Sequence, residues 1–245
     1  MAEILSAEDV DATVQRAVEA LQEGALVVLP TDTVYAVVAD AFQRGATQRL
    51  LGVKGRGRQV PLSLLIRNPR QVIGLASDIP EPAERLMASY WPGPVSLVLP
   101  AQPEMPWELG KTGDAITLRM PAHELLLAIA AEVGPLACSA ANRRGEPSPT
   151  SAQEVQRQMG DAVDFIVDAG SCAPEMTTIV DCTREAISVL REGIVSTEDI
   201  LRVASGDVGW GQQPSSTPPP VDVDDVPAAA MAVDPPAPAD DEGPR

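Results

Sequence analysis

The chain has 245 residues, 44% of them hydrophobic, which is enough to bury a sizeable core in one large domain or two small ones. Its formal net charge of −17 argues against a protein that holds polyanions by bulk charge. Three cysteines without metal-site spacing and a single histidine argue against a disulfide scaffold or a Cys/His zinc centre, and a reducing cytosol is the compartment they fit.

Residues 6–24 read as an opening helix. Ser6 and Asp9 are spaced as a capping box, Val10, Val14, Ala17, Val18 and Leu21 share a face, and Gly24 is the stop. A short strand over 25–29 ends at Pro30, and a second extended run, 34–39, is apolar at nearly every position, as expected of a strand buried on both faces. Residues 46–53 have a helical pattern, 54–62 form a cationic loop, and 62–66 return as a strand. A helix over 82–90 is followed by Trp91, Pro92, Gly93 and Pro94, which force a turn into the strand 95–99. Further on, 116–119 is a strand, 124–133 a helix, and 136–139 a strand opening into a polar loop. Thr150 with Gln153 predicts a capped helix ending near Gly160. Extended runs at 165–167, 178–180 and 187–190 and a short helix after Ser196 close the domain. Strands interleaved with helices, without strict alternation, predict a mixed α/β sheet over residues 1–205. Residues 206–245 carry nine prolines, eight acidic residues and one basic residue, the composition of a disordered tail. That tail is either a solvated extension or a segment that recruits a partner or shields a basic cavity. No stretch of the chain approaches membrane-spanning length.

Chemistry concentrates in five places. PTDTVYAV at 30–37 sets Thr31, Asp32 and Thr33 at a strand end, where ligands often meet an α/β sheet, although these are also ordinary turn residues. KGRGRQVPL at 54–62 brings Lys54, Arg56 and Arg58 together on glycine-punctuated backbone, a pattern suited to polyphosphate or simply to a solvated loop. The tryptophan of WPGPVSLVL reads as a structural plug beneath a turn. CSAANRRGEPSPT at 138–150 offers Ser139, Asn142 and Ser148 as neutral groups for phosphate or ribose. Arg119 and Arg191 each leave the end of an apolar run, to meet either a buried carboxylate or an anionic substrate. His123 reads as a capping or surface residue. Nothing supplies a nucleophile with a general base, so the chemistry on offer is the positioning of anions, as in phosphoryl or nucleotidyl transfer.

Taken in order, PTDTVYAV, KGRGRQVPL, YWPGPVSLVL, ITLRMPAH, CSAANRRGEPSPT, TTIVDCT and VLREGIVS resemble the YrdC/Sua5 family of threonylcarbamoyl-AMP synthases over residues 24–200. The resemblance implies a twisted mixed sheet flanked by helices around a concave, basic cavity. It also implies an enzyme that condenses L-threonine, bicarbonate and ATP, with Mg2+, into threonylcarbamoyl-AMP and pyrophosphate. The product would pass to a downstream transferase complex for t6A modification of tRNA, which the enzyme itself would contact weakly if at all. By motif position, Thr33, Arg119, Thr177 and the backbone at Cys138 would hold threonine. Lys54, Arg56, Asn142, Ser148 and Arg191 would hold ATP, with Lys54 and Arg56 as the catalytic cations and no protein-bound metal. The chain departs from the family at Ala36 and Val38, where the family has glycines, and at Ala140, where it has a serine that Ser139 would replace. Thr177 stands for a serine, and Val60 for a polar residue. These departures support the alternative of a weakened relative that binds RNA or nucleotide without catalysis.

Overall fold

A computed structural model describes residues 1–54, 60–103, 105–111 and 113–207. Arg56 and Arg58, together with all of the tail beyond Asp207, lie outside the described residues.

The strands are β1 (Glu3–Ser6), β2 (Val27–Leu29), β3 (Ala36–Asp40), β4 (Ser63–Leu65), β5 (Val95–Pro100), β6 (Ala115–Arg119), β7 (Leu136–Ala140), β8 (Phe165–Asp168), β9 (Thr178–Asp181) and β10 (Ser188–Arg191). The helices are α1 (Val10–Gln22), α2 (Arg44–Val53), α3 (Val72–Leu75), α4 (Glu81–Tyr90), α5 (Glu124–Val133), α6 (Ala152–Met159) and α7 (Thr197–Ser205). Among the described residues all ten strands join one sheet in the order β1-β8-β2-β3-β7-β4-β6-β5-β9-β10. Parallel pairs (β1 with β8, β4 with β6, β5 with β9) mix with antiparallel ones (β2 with β3, β3 with β7, β5 with β6). The expected mixed α/β sheet is therefore present.

Several local readings shift. The first helix begins after Asp9, whose carboxylate accepts the Ala12 N–H at 3.0 Å, whereas Ser6 ends β1 and bonds Glu8 instead. At α6 the cap is Ser151, one residue later than Thr150, and Glu154 reaches back to accept the Thr150 N–H at 2.8 Å. A 3-10 turn at Pro69–Gln71 and the short α3 fill a stretch with no sequence expectation, and Asn68 with Gln71 forms a capping box at its start.

Side-chain alternation along the strands sorts the core between two faces. Val37 and Ala39 of β3 join Leu64, Leu97, Leu99 and Leu118 in the larger core, packed under α2, α4, α6 and α7. Ala36 and Val38 point the other way, into a second core with Leu65, Leu136 and Cys138 covered by α1 and α5. Further along that same face, Val98, Ala115 and Ile179 make a small third cluster beside β10. Trp91 is a plug, as expected, with its indole N–H donating to the Val95 carbonyl at 2.7 Å.

Asp164, at the start of β8, ties three elements together by accepting the Leu26 N–H at 2.7 Å and both terminal nitrogens of Arg49 at 2.7 and 3.0 Å. Burial pushes its pKa up, but the Arg49 guanidinium and the Leu26 amide outweigh that and hold it below the usual value. A depressed carboxylate pKa adds stability above the unfolded-state value that is lost as pH falls through the folded one. Asp164→Asn is therefore expected to lower Tm at neutral pH, with the gap to the wild type closing below about pH 4. Melting curves across pH 3–7 check this; a gap independent of pH would contradict it.

Candidate functional site

The second face of the sheet is not covered throughout. Between the α1/α5 core and the small third cluster the sheet is open, and there lies a cavity lined by Thr31, Thr33, Lys54, Arg119, Thr177 and Arg191. Ala36, Cys138, Ser139 and Ala140 also line it.

Arg119 is the centre of the arrangement. The residue is 6% exposed at the end of β6, and three of its N–H groups are fixed: Nε to the Gly93 carbonyl at 3.0 Å, one to Thr33 Oγ1 at 3.1 Å, one to Asp32 at 2.5 Å. A guanidinium has five N–H donors, so two remain for a ligand. Proton bookkeeping then orders the hydroxyls beside it. Thr31 donates to the Val34 carbonyl at 2.7 Å, so in its 3.0 Å contact with Thr33 the proton comes from Thr33. The result is a directed chain from Arg119 through Thr33 and Thr31, polarised along its length. The Gly93 position admits no side chain, since a Cβ there would lie 2.5 Å from the Tyr90 carbonyl oxygen. The WPGP turn thus buttresses Arg119, with the Gly93 N–H returning a bond to Met120 at 2.8 Å.

Arg191 also lines the cavity. Its Nε and one terminal nitrogen donate to the Thr177 carbonyl at 3.1 and 2.9 Å, and that nitrogen also donates to Thr177 Oγ1 at 2.7 Å. Its second terminal nitrogen and the Thr177 hydroxyl proton are left for a ligand. Burial and, secondarily, the positive charge of Arg119 lower its pKa to about 10, which leaves it charged at neutral pH. Two guanidiniums that repel each other, Arg119 buried and Arg191 half-buried, make a site that an anion stabilises.

Lys54, at the end of α2, is 4% exposed and lines the cavity. Its ammonium donates to the Ala140 carbonyl and to Asn142 Oδ1, each at 2.8 Å, and also to the Asn142 carbonyl. Asn142 is fully buried and donates to the Glu146 carbonyl at 2.8 Å, so it organises the loop from behind and does not line the cavity. Ser148 does not line it either; its Oγ is buried without a hydrogen-bond partner. The structure thus gathers Thr33, Lys54, Arg119, Cys138, Ser139, Thr177 and Arg191 and sets Asn142 and Ser148 aside. Burial pushes the Cys138 thiol up to about 12 despite the nearby Arg119, so it is protonated and no nucleophile. His123 holds the N-cap position of α5 without a side-chain cap bond, and burial lowers its pKa against the pull of Asp32 and Glu124.

Of the two glycine-to-larger departures, Ala36 lines the cavity, opposite Ala140 in the β3–β7 ladder, whereas Val38 belongs to the covered core. Val60 lines the cavity as an apolar wall. Sequence reading missed Ser63, Ser96 and Ile179, which also line it. The signal for the serines was a single polar residue inside an apolar strand. Among the described residues no three acidic, cysteine or histidine side chains gather as a metal cage, and no helix is long and apolar enough to cross a membrane.

Residues 19–193 match a family model named Sua5/YciO/YrdC and described as "Telomere recombination". A protein of Mycobacterium tuberculosis, provisionally named threonylcarbamoyl-AMP synthase, is 43% identical over 192 residues, covering 78% of this chain and 88% of its own. The threonylcarbamoyl-AMP synthase of Bacillus subtilis is 34% identical over 196 residues, 79% of this chain and 57% of that protein. Among solved structures, Pyrococcus abyssi Sua5 complexed with L-threonine superposes with a TM-score of 0.75 at 34% identity, over 83% of this chain. The chain spans 60% of that Sua5 protein.

Proposed function

The chain belongs to the Sua5/YciO/YrdC family, and from that premise we propose that it is a threonylcarbamoyl-AMP synthase acting on L-threonine, bicarbonate and ATP. The observation that carries this reading is the pair Arg119 and Arg191, each with N–H groups left over, in a cavity lined besides by Lys54, hydroxyls and apolar side chains. Arg119 takes the threonine carboxylate in its two remaining N–H groups, beside Thr33 and the backbone at Cys138, and the Thr177 hydroxyl donates as well. The threonine amine adds to bicarbonate to give a carbamate and water. A carbamate oxygen then attacks the α-phosphorus of ATP in line, and the bond to the departing pyrophosphate breaks. Lys54, Arg56 and Arg191 offset the charge that develops on the leaving group, and Ser139 approaches the nucleotide, with Asn142 and Ser148 shaping its loop.

The donor set does not fit a resident metal, since no carboxylate or histidine is among the described residues that line the cavity and Arg119 already holds Asp32. Magnesium enters as the ATP complex, bound by phosphates and water. The adenylate passes to a downstream transferase complex that modifies tRNA, in a reducing cytosol. Acidity overall sets this chain's own affinity for tRNA low.

Purified protein is expected to release pyrophosphate from ATP only when threonine and bicarbonate are both present. Release that ignores either one sinks the proposal.

A further inference from the structure

We propose that Ser96 recognises the side chain of the amino-acid substrate, its hydroxyl bonding the substrate's Cβ hydroxyl while Ile179 beside it receives the methyl. This rests on the reading of L-threonine as the substrate.

The sheet register sets up the geometry. On β4, Leu65 lies opposite Arg119 of β6. The antiparallel β5–β6 ladder pairs Leu97 with Leu118, and one further step places Ser96 beside Arg119. On its other side Ser96 lies opposite Ile179 of β9. Leu65, Arg119, Ser96 and Ile179 therefore form one row across four adjacent strands, and all four line the cavity. The floor of the site reads apolar, cationic, hydroxyl, apolar.

Ser96 is an odd residue for its place. It is 6% exposed within β5, where its neighbours are Val95 and Leu97, and a branched apolar side chain suits such a strand better. The buried hydroxyls of Thr31, Thr33, Thr177 and Thr178 all bond to protein. That of Ser96 bonds to no described residue, and it faces the cavity. A hydroxyl that opens to the cavity without a protein partner is available to bond what enters there.

A substrate whose carboxylate binds Arg119 lies beside one of the two strands that flank β6, each about 4.8 Å away. On the β4 side the residue in the same row is Leu65, with Ser63 two positions away on that face. On the β5 side the substrate meets a hydroxyl with an isoleucine next to it, which matches a Cβ bearing one hydroxyl and one methyl.

The test is titration calorimetry of the full chain with L-threonine and with its isostere L-valine. Wild type is expected to favour threonine. Ser96→Ala is expected to cut that preference about tenfold, by weakening threonine and leaving valine unchanged. Ser96→Thr keeps a hydroxyl and is expected to keep the preference, even where its added methyl weakens both ligands. If Ser96→Ala does not fold, Ser96→Cys, similar in shape with a weak donor, serves for the same comparison. An unchanged preference in the variants lacking the hydroxyl, or an equal loss for both amino acids, overturns the assignment. Its failure is separable from failure of the synthase reading. A wild-type chain that prefers threonine, loses the preference in Ser96→Ala and yet releases no pyrophosphate refutes the synthase and still supports Ser96. A working synthase whose Ser96→Ala variant keeps full preference refutes Ser96 alone.

Discussion

Replacing Arg119 by alanine is expected to lower kcat/KM for threonine by about a thousandfold, equivalent to ~4 kcal/mol, and to destabilise the fold as well. The catalytic loss follows from removing the two N–H groups that face the cavity and the donor that polarises the Thr33–Thr31 chain. The stability loss has a separate cause. Asp32 is 13% exposed, and without its partner it is a nearly buried, uncompensated carboxylate, a situation that costs about 3–5 kcal/mol. The two effects can be pulled apart. Arg119→Met combined with Asp32→Leu removes both charges and is expected to regain most of the stability while activity stays lost. Arg119→Lys keeps the charge but presents one point donor where the guanidinium presents a fork, so it is expected to recover little activity. Denaturant melts and adenylate formation, measured on the same preparations, decide the matter; a double variant as unstable as Arg119→Ala would show that the Asp32 argument is wrong.

Lys54→Met is the second large effect. The ammonium supplies hydrogen bonds to Ala140 and to two oxygens of Asn142, so an apolar replacement leaves buried acceptors unpaired at a cost of about 3 kcal/mol, or about 10 °C in Tm for a domain of this size. The end of β7 that it holds carries Ser139 and Ala140 at the cavity wall. Loss of a cation next to the phosphate site comes on top of that, and kcat/KM for ATP is expected to fall at least a hundredfold. Lys54→Arg separates charge from geometry: it restores the positive charge, but a planar fork in a space 4% exposed does not reproduce three bonds to one turn of loop. Full activity in Lys54→Arg would show that the field alone matters.

Sequence alone carried the fold where pattern is local. The helix Glu124–Val133 and the strands flanking it follow from periodicity and from Pro121 and Gly134 at the ends. It failed at β1, where Ile4 and Leu5 are too short an apolar run to signal a strand and become one only by pairing with β8, some 160 residues on. Arg119 was legible as a buried arginine seeking either a carboxylate or an anion, and it does both, holding Asp32 with one edge and facing the cavity with another. Asn142 was legible as part of the loop but not as its anchor, because that role depends on where α2 ends in space. Ser96 could not be read from the chain, since a lone serine in an apolar strand acquires meaning only once β6 and β9 lie on either side of it.

The strand order has a consequence for how the molecule is made. β7 inserts between β3 and β4, β8 between β1 and β2, and β9 carries the edge strand that brings Arg191 to the cavity. A growing chain that has reached residue 130 therefore holds Thr33, Lys54 and Arg119 while β7, the strand that joins β3 to β4, has not yet been synthesised. The two guanidiniums meet only once β10 has been synthesised, so a shorter nascent fragment lacks the complete site, and the edges of β1 and β2, which pair with β8, wait unpaired longest.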